Sequence, residues 1–312
     1  MCHRTVAIFG GEDDPQVLAV GAALRARGVE PTVVRLVPDE LAGWSWGLDH
    51  LRRADGVDLA SLAAVYVRGV PAIVPRHPTS VVTERERSEW EALAERGRKW
   101  HGVARAAQLH LEALGVEMVN PAACFWFHRS KPAADLRVQA AGVRVPASVV
   151  TSDPDVAHAF VDEFAGEVVF KPVAGGGACR VASHELIEER SAELRRAPVL
   201  FQERCRGRDL RIYTVDGVVV GSAVIHTENV DYRGHETGVE AVEIPDDVAS
   251  IAGRAADALG MVFAGIDVKD PGTGEYTVLD VNPSPMFASL SEMAGIDIAG
   301  ALASRLAAGS AR

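Results

Sequence analysis

The stretch that decides the fold is Leu279-Asp280-Val281-Asn282-Pro283-Ser284-Pro285, which follows Asp267 by about a dozen residues. Asp267 itself lies in the apolar run Ala264-Gly265-Ile266-Asp267-Val268. An unpaired carboxylate inside such a strand would be costly to bury, so something must compensate its charge. Asp280 and Asn282 share one face of their strand because alternate residues point the same way.

These oxygen-bearing side chains are the ligands that Mg²⁺ prefers, usually together with the phosphates of a nucleotide. The stretch therefore predicts a metal site made of Asp267, Asp280 and Asn282. The alternative is a pair of carboxylates that accept hydrogen bonds from backbone N–H groups at the strand ends. The three residues taken together favour the metal.

The composition is that of an ordinary globular protein, with 48% hydrophobic and 24% charged residues in a chain of 312. A net charge of −11 argues against a nucleic-acid partner, which would require a basic face. No apolar run approaches the ~20 residues of a membrane span. We therefore expect a cytoplasmic protein with no membrane partner and, since its four cysteines lack CxxC spacing, no zinc cluster of that type.

The order of apolar runs predicts three regions and an α/β fold. Strand-like and helix-like segments alternate over residues 1–120, which indicates a small parallel N-terminal α/β domain. Residues 121–200 read as a second lobe that ends its main strand in a glycine loop. Residues 201–312 read as a third lobe with the metal site, and they include two apolar runs joined by Asp216-Gly217, a strong hairpin signal.

Lys171 lies at the end of an apolar strand and is followed by Gly175, Gly176 and Gly177. Glycines permit backbone conformations in which successive N–H groups point at one anion, and they let phosphates approach closely. The segment lacks the GK[ST] ending of a Walker loop. It is interpreted as a flexible cover over a triphosphate, with an ordinary surface loop as the alternative.

Two acid–arginine pairs follow at the same i, i+2 spacing, Asp209 with Arg211 and Asp231 with Arg233. Because i and i+2 share a strand face, each acid could orient its arginine or contact a ribose. An arginine so placed can bind a phosphate through its planar fork. Salt-bridged exposed strands are the alternative for both pairs.

The order of these features resembles the ATP-grasp superfamily, and more narrowly the carboxylate–amine ligases of the ribosomal-protein glutamate ligase (RimK) type and the graspetide (microviridin-type) peptide ligases. The resemblance covers about residues 116 to 300, and the N-terminal domain has no motif of its own. It implies an ATP-grasp fold, in which two α+β lobes clasp ATP, preceded by the small parallel α/β lobe.

The resemblance also implies roles for individual residues. Arg211 and Arg233 are the candidate catalytic residues, which would stabilise charge on the transferring phosphoryl group or bind the substrate carboxylate. Asp267, Asp280 and Asn282 would hold the metal. The expected nucleotide-binding residues, from the phosphates to the adenine and ribose, are Lys131, Lys171, Gly175, Gly176, Gly177, Gln202, Glu203, Cys205 and Asp209.

The implied activity is an ATP-dependent ligation that uses ATP and Mg²⁺, or Mn²⁺ in its place. A carboxylate substrate would be activated as an acyl phosphate and joined to an amine, or to a hydroxyl, of a small molecule or peptide. This chemistry suits peptide modification or natural-product biosynthesis, and the protein is expected to form homo-oligomers. The alternatives are an ATP-binding partner protein without catalysis and a small-molecule kinase of the same fold.

Overall fold

The structure is a computed structural model that describes residues 5–35, 45–47, 50–52, 61–68, 83–174 and 177–310. Contacts between Cα atoms divide the chain into two compact units. One unit comprises residues 1–122 with 299–312, and the other comprises residues 123–298. The three-region division made from the sequence stays a prediction.

The first unit contains a parallel four-stranded sheet, with helices along the chain between its strands. Its central strand is almost fully buried from Val6 to Phe9, as expected of a strand covered on both faces. This arrangement confirms the predicted parallel N-terminal lobe. In spatial order β2-β1-β5-β6, the strands are β2 (Thr32–Val34), β1 (Thr5–Phe9), β5 (Leu62–Val67) and β6 (Glu117–Val119).

Two helices of this unit begin at clear capping residues. Helix α1 (Pro15–Arg25) starts after Asp14, whose side chain accepts a hydrogen bond from the backbone N–H of Gln16. Helix α2 (Glu84–Ala113) starts at a capping box in which Thr83 and Glu86 bond each other's backbone N–H. Most of helix α10 (Ile298–Ser310) also belongs to this unit, and a short hairpin joins β3 (Ser45–Gly47) to β4 (His50–Arg52).

The second unit contains two antiparallel sheets, of which the first has the order β7-β10-β8-β9. Helices α5 and α6 pack on this sheet through an apolar cluster that includes Phe160 and Ile187. Lys171 lies near the end of β8. The elements are β7 (Ser148–Thr151), α5 (Pro154–Glu163), β8 (Val168–Pro172), β9 (Arg180–Val181), α6 (His184–Glu189), α7 (Ser191–Leu194) and β10 (Val199–Glu203).

The second sheet has the order β13-β12-β11-β14-β15, and helices α4 and α8 pack against its core. The predicted hairpin is present: Asp216 and Gly217 both have positive φ, 49° and 72°, as a type I′ turn requires. The elements are α3 (Cys124–His128), α4 (Lys131–Ala140), β11 (Arg208–Val215), β12 (Val218–His226), β13 (Gly238–Ala241), α8 (Asp246–Ala258), β14 (Phe263–Asp270), β15 (Thr277–Asn282) and α9 (Ala288–Ala294).

Among the helices that the structure describes, none combines the length and the apolar character needed to cross a bilayer.

Candidate active site

A row of charged side chains crosses three neighbouring strands of the larger sheet. Arg211 on β11 pairs with Asp267 on β14, and Asp267 pairs in turn with Asp280 on β15. Residues directly opposed on antiparallel strands point to the same face, with Cβ atoms about 5 Å apart. The strand register thus brings one arginine and two carboxylates together from distant parts of the chain.

Asn282 joins this face because it lies two residues after Asp280 and pairs across the sheet with Gly265. Its side-chain oxygen accepts a hydrogen bond of 2.9 Å from the backbone N–H of Ser284, which orients the amide. The structure therefore brings the three predicted metal ligands to one place. Their role as ligands stays a prediction.

Each carboxylate of the row gives one oxygen to a cationic side chain. Lys131 Nζ lies 2.5 Å from Oδ1 of Asp280, and Arg211 Nη1 lies 2.6 Å from Oδ1 of Asp267. Tyr232 donates a further hydrogen bond of 2.8 Å to that same Oδ1 of Asp267. Within the described residues, no hydrogen bond reaches Oδ2 of either carboxylate, so one oxygen of each is open to a metal ion.

This donor set fits Mg²⁺. Two carboxylate oxygens and one amide oxygen are hard ligands, and Mg²⁺ is commonly held by one or two carboxylates together with substrate phosphates. Among described residues, no group of three or more His, Cys, Asp and Glu side chains could hold a metal ion by itself. The ion would consequently need ligands from elsewhere, as a nucleotide would supply.

The charges in this site are strongly coupled. Burial alone would raise the pKa of Asp280, but Lys131, together with Lys171 and Arg211, outweighs it and lowers that pKa below its usual value. Burial would likewise lower the pKa of Lys131, and the attraction of Asp280 raises it instead. The pKa of Lys171 is lowered, first by burial and then by repulsion from Lys131. Two adjacent ammonium groups near one carboxylate form an environment that favours a further anion.

Lys171 reaches the same region from the smaller sheet. Its Nζ donates a hydrogen bond of 3.4 Å to the backbone oxygen of Leu279, the residue before Asp280. Lys131 also contacts the segment that follows β8, because its backbone N–H donates to the carbonyl of Val173, two residues after Lys171. The two predicted phosphate-binding lysines are thus held at the carboxylate row.

Asp231 and Arg233, which follow β12 of the larger sheet, bind Gly177 at the end of the glycine segment (residues 175–177) and Cys179 just after it. Arg233 binds Asp231 through two nitrogens, and it also donates a hydrogen bond of 2.8 Å to the carbonyl of Gly177. Asp231 in turn accepts a hydrogen bond of 2.9 Å from the backbone N–H of Cys179. The predicted pairing of this acid with its arginine is present, whereas Gly175 and Gly176 lie outside the described residues.

The other predicted acid–arginine pair is not formed. Asp209 lies 2.8 Å from Lys269 of the neighbouring strand, and the partner of Arg211 is Asp267. The idea that Asp209 orients Arg211 is therefore wrong. The reason is the register of β11 and β14, which places Asp267 directly opposite Arg211 and Lys269 opposite Asp209.

The predicted adenine-binding residues lie where β10 leaves the smaller sheet. Gln202 is buried, and within the described residues its side-chain nitrogen has no hydrogen-bond partner. Glu203 accepts a hydrogen bond of 3.3 Å from the backbone N–H of Ala147, and Cys205 follows two residues later, half-buried. A buried amide donor without a partner is costly, and a nucleotide base is a ligand that could satisfy it.

Three residues at the site were not singled out from the sequence. Tyr232 binds Asp267, as described above. Gly265 lies beneath Arg211: a Cβ atom added there would fall 2.5 Å from Nη2 of that arginine and 2.5 Å from Cβ of Pro285, so only glycine fits. No local pattern signals these two residues, since both act through strands distant in sequence.

Asp135 is the third of these residues, and it lies one helical turn after Lys131 on α4. Burial raises the pKa of its carboxyl to about 6, although Lys171 opposes the shift. Within the described residues, its buried Oδ2 has no hydrogen-bond partner. The i, i+4 spacing from Lys131 was the available signal, because residues four apart on a helix share one face.

Comparisons with known proteins agree on one family. The model of the RimK-like ATP-grasp domain matches residues 133–306. The structure of the ATP-grasp ligase PsnB, complexed with a phosphomimetic variant of its minimal precursor, Mg and ADP, is 32% identical. It aligns over 99% of both chains with a TM-score of 0.85.

Two other relatives are more distant. The macrocyclase MdnC of Microcystis aeruginosa, solved with its precursor peptide MdnA, is 17% identical over 97% of this chain and 99% of its own, with a TM-score of 0.73, which shows the fold alone. A probable alpha-L-glutamate ligase of Mannheimia succiniciproducens is 27% identical over 61% of this chain. The chain spans 56% to 67% of the lengths of the first three curated relatives it matches.

Proposed function

The chain belongs to the RimK-like ATP-grasp family, and from that premise we propose that it is an ATP-dependent ligase acting on peptides. It would activate a carboxylate as an acyl phosphate and join it to an amine, or to a hydroxyl, with release of phosphate. The predicted ATP-grasp fold is confirmed by the family match and the likeness to PsnB. The observation that carries the proposed chemistry is the row Arg211, Asp267 and Asp280 with Lys131 bound to its end.

Phosphoryl transfer needs little covalent help from a protein, because positioning and neutralisation of charge supply most of the rate. The residues of this site suit that task. Lys131 and Lys171 would bind the phosphates of ATP, while Arg211 and Arg233 would orient the substrate carboxylate and the transferred group. Mg²⁺, or Mn²⁺, bound by Asp267, Asp280 and Asn282 would supply the remaining positive charge.

This set of residues favours a ligase over an ATP-binding partner protein. A non-catalytic relative could keep the nucleotide-binding lysines and lose the carboxylates or the arginines, since binding alone does not require them. Here both carboxylates and both arginines are present. Arg211 binds Asp267, Lys131 binds Asp280, and Arg233 binds the carbonyl of Gly177. A small-molecule kinase would differ in its product, which would be a stable phosphate ester.

A peptide is the proposed substrate because of the likeness to PsnB over nearly the whole chain. That enzyme was solved with its precursor peptide PsnA2 and AMPPNP, at 31% identity and 99% coverage of both chains. The glutamate ligases match a smaller part of this chain. Homo-oligomers, a cytoplasmic location and the lack of nucleic-acid and membrane partners remain part of the proposal.

The test is a ligation assay with purified protein, Mg²⁺ and ATP. Candidate substrates are a short peptide encoded beside the gene for this chain, which supplies both carboxylates and amines or hydroxyls, and free glutamate with a peptide acceptor. A peptide ligase releases ADP only with the first and lowers the peptide mass by one water per bond formed. ADP release only with free glutamate would indicate a glutamate ligase, a phosphorylated product a kinase, and no release with any mixture a binding protein.

A further inference from the structure

Two histidines, the partly buried His158 of α5 and the exposed His184 of α6, meet head to head. Nδ1 of His158 lies 2.7 Å from Nδ1 of His184. The ring centroids are 4.9 Å apart and the ring planes differ by 16°. That separation is close to the nitrogen–nitrogen distance plus the two ring radii, so the rings lie side by side and their Nδ1 atoms point at each other.

The other nitrogen of each ring is held by a carboxylate of the opposite helix. Nε2 of His158 lies 3.1 Å from Glu188, and Nε2 of His184 lies 3.1 Å from Asp162. An ionised carboxylate can only accept hydrogen bonds, so each Nε2 carries the hydrogen and donates it. In a neutral imidazole the remaining nitrogen is then an acceptor, which leaves two Nδ1 lone pairs facing each other.

Two facing lone pairs at this distance repel unless an electrophile lies between them. A carboxylate that orients a histidine through its far N–H is the usual outer partner of a metal-bound imidazole. We propose that His158 and His184 form a binding site for a divalent transition metal such as Zn²⁺, separate from the Mg²⁺ site of the ligase. Water would complete the coordination, because among the described residues no third His, Cys, Asp or Glu ligand converges there.

The helix backbones are well placed to hold such an ion. Beside the histidines, α5 and α6 are fixed to each other by one apolar cluster that includes Ala157, Phe160 and Ile187. Tetrahedral Zn²⁺ with Zn–N bonds of about 2.0 to 2.1 Å needs the two nitrogens about 3.4 Å apart and both lone pairs aimed at the ion. The rings must therefore separate by roughly 0.7 Å and turn away from their head-on orientation. His184, whose side chain is 47% exposed, has the freedom to make that movement.

The choice of metal follows from the ligand atoms. Imidazole nitrogen suits Zn²⁺, Cu²⁺ and Ni²⁺, whereas Mg²⁺ prefers oxygen. The two sites would therefore not compete for the same ion. Bound metal would link α5 to α6 within the nucleotide-binding lobe. Helix α6 follows the glycine segment along the chain.

The experiment is calorimetric titration of the untagged full chain with ZnCl₂ in a large excess of Mg²⁺. We expect one Zn²⁺ per chain, with the affinity reduced at least tenfold in H158Q and in H184Q. Since loss of an outer partner costs roughly 10-fold in metal affinity, D162N and E188Q should each weaken binding without removing a ligand. H226Q is the matched control, because His226 lies beside Glu240 elsewhere in the same unit and should leave binding unchanged.

Thermal unfolding with and without Zn²⁺ provides a second measurement that does not depend on the heat of binding. Zinc should raise the Tm of the unaltered chain and of H226Q, and it should leave the Tm of H158Q unchanged. If H158Q fails to fold, the exposed acid variants carry the test alone. Equal zinc binding by the histidine variants, or no binding by the unaltered chain, would show that the pair holds only a shared proton and would overturn the proposal.

Discussion

Asp267 lies directly opposite Asp280 across β14 and β15, and each carboxylate gives its Oδ1 to a different cationic residue, Arg211 for Asp267 and Lys131 for Asp280. These two cations offset the repulsion between the neighbouring carboxylates. It also separates their partners, since the arginine comes from the same sheet and the lysine from α4. A metal that binds both open oxygens would therefore leave both cations in contact with the row.

The change Asp280→Asn removes one negative charge from the row with little change in size. If Asp280 holds the metal, ADP release in the ligation assay should fall on the order of 10²-fold, the usual cost of losing one electrostatic contact in the transition state. The measurement is steady-state turnover at saturating ATP. Asp257→Asn, an exposed carboxylate on α8, is the control and should keep full activity. Full turnover in Asp280→Asn would contradict the predicted role.

Arg211→Lys keeps the positive charge beside Asp267 and removes the planar fork. Because a lysine cannot bind a carboxylate or phosphate through two parallel hydrogen bonds, we expect ligation to drop by about 10²-fold while nucleotide binding persists. Separate measurements of nucleotide affinity and turnover distinguish these effects. Arg206→Lys alters an exposed pair with Glu167 and should change neither. Equal loss of nucleotide affinity and turnover would place Arg211 in nucleotide binding instead.

Tyr232→Phe removes the hydroxyl that binds Oδ1 of Asp267 and leaves the ring in place. Since outer partners of metal ligands typically contribute 10- to 100-fold to metal affinity, the Mg²⁺ concentration for half-maximal activity should rise about 10-fold. Activity at saturating Mg²⁺ should recover. Tyr276→Phe, just before β15, is the control. An unchanged Mg²⁺ requirement would show that Tyr232 does not position the metal ligand.

Asp135→Asn should change how stability depends on pH. Burial raises the pKa of Asp135 to about 6, above an unfolded value of about 3.9, so the folded chain binds the extra proton between these values. Stability from this group is therefore lost as pH rises through 6. Relative to the unaltered chain, the variant should gain roughly 1 kcal/mol in free energy of unfolding between about pH 5 and about pH 8.

Urea unfolding without nucleotide at the two pH values measures this difference. Asp257→Asn is again the control, and it should track the unaltered chain. Parallel pH profiles for Asp135→Asn and the unaltered chain would mean that the carboxyl titrates in its usual range.

Local patterns were enough for many of the elements and for the choice of candidate site residues. Asp216-Gly217 predicted its hairpin because only a type I′ turn suits that pair between apolar runs, and both residues have positive φ. Asp280 and Asn282 were placed on one face by the period of a strand alone. The order of lysines, acids and arginines then indicated the family before any fold was known.

The partners of those residues depended on the tertiary structure. Asp209 was expected either to orient Arg211 or to contact a ribose. The antiparallel register of β11 and β14 excludes the first role, because it places Asp267 opposite Arg211 and Lys269 opposite Asp209. A shift of one residue in that register would turn every side chain of the strand to the other face, and the sequence of one strand does not specify its neighbour's alignment.

The contacts of Gly265 and of the two histidines likewise could not be predicted from the sequence. Gly265 is required because Arg211 lies over its backbone, and His158 meets His184 because α5 and α6 pack on one core. These contacts join residues far apart in the chain. The sequence determined which residue types were available and how each segment folds locally, while packing and strand register decided which of them meet.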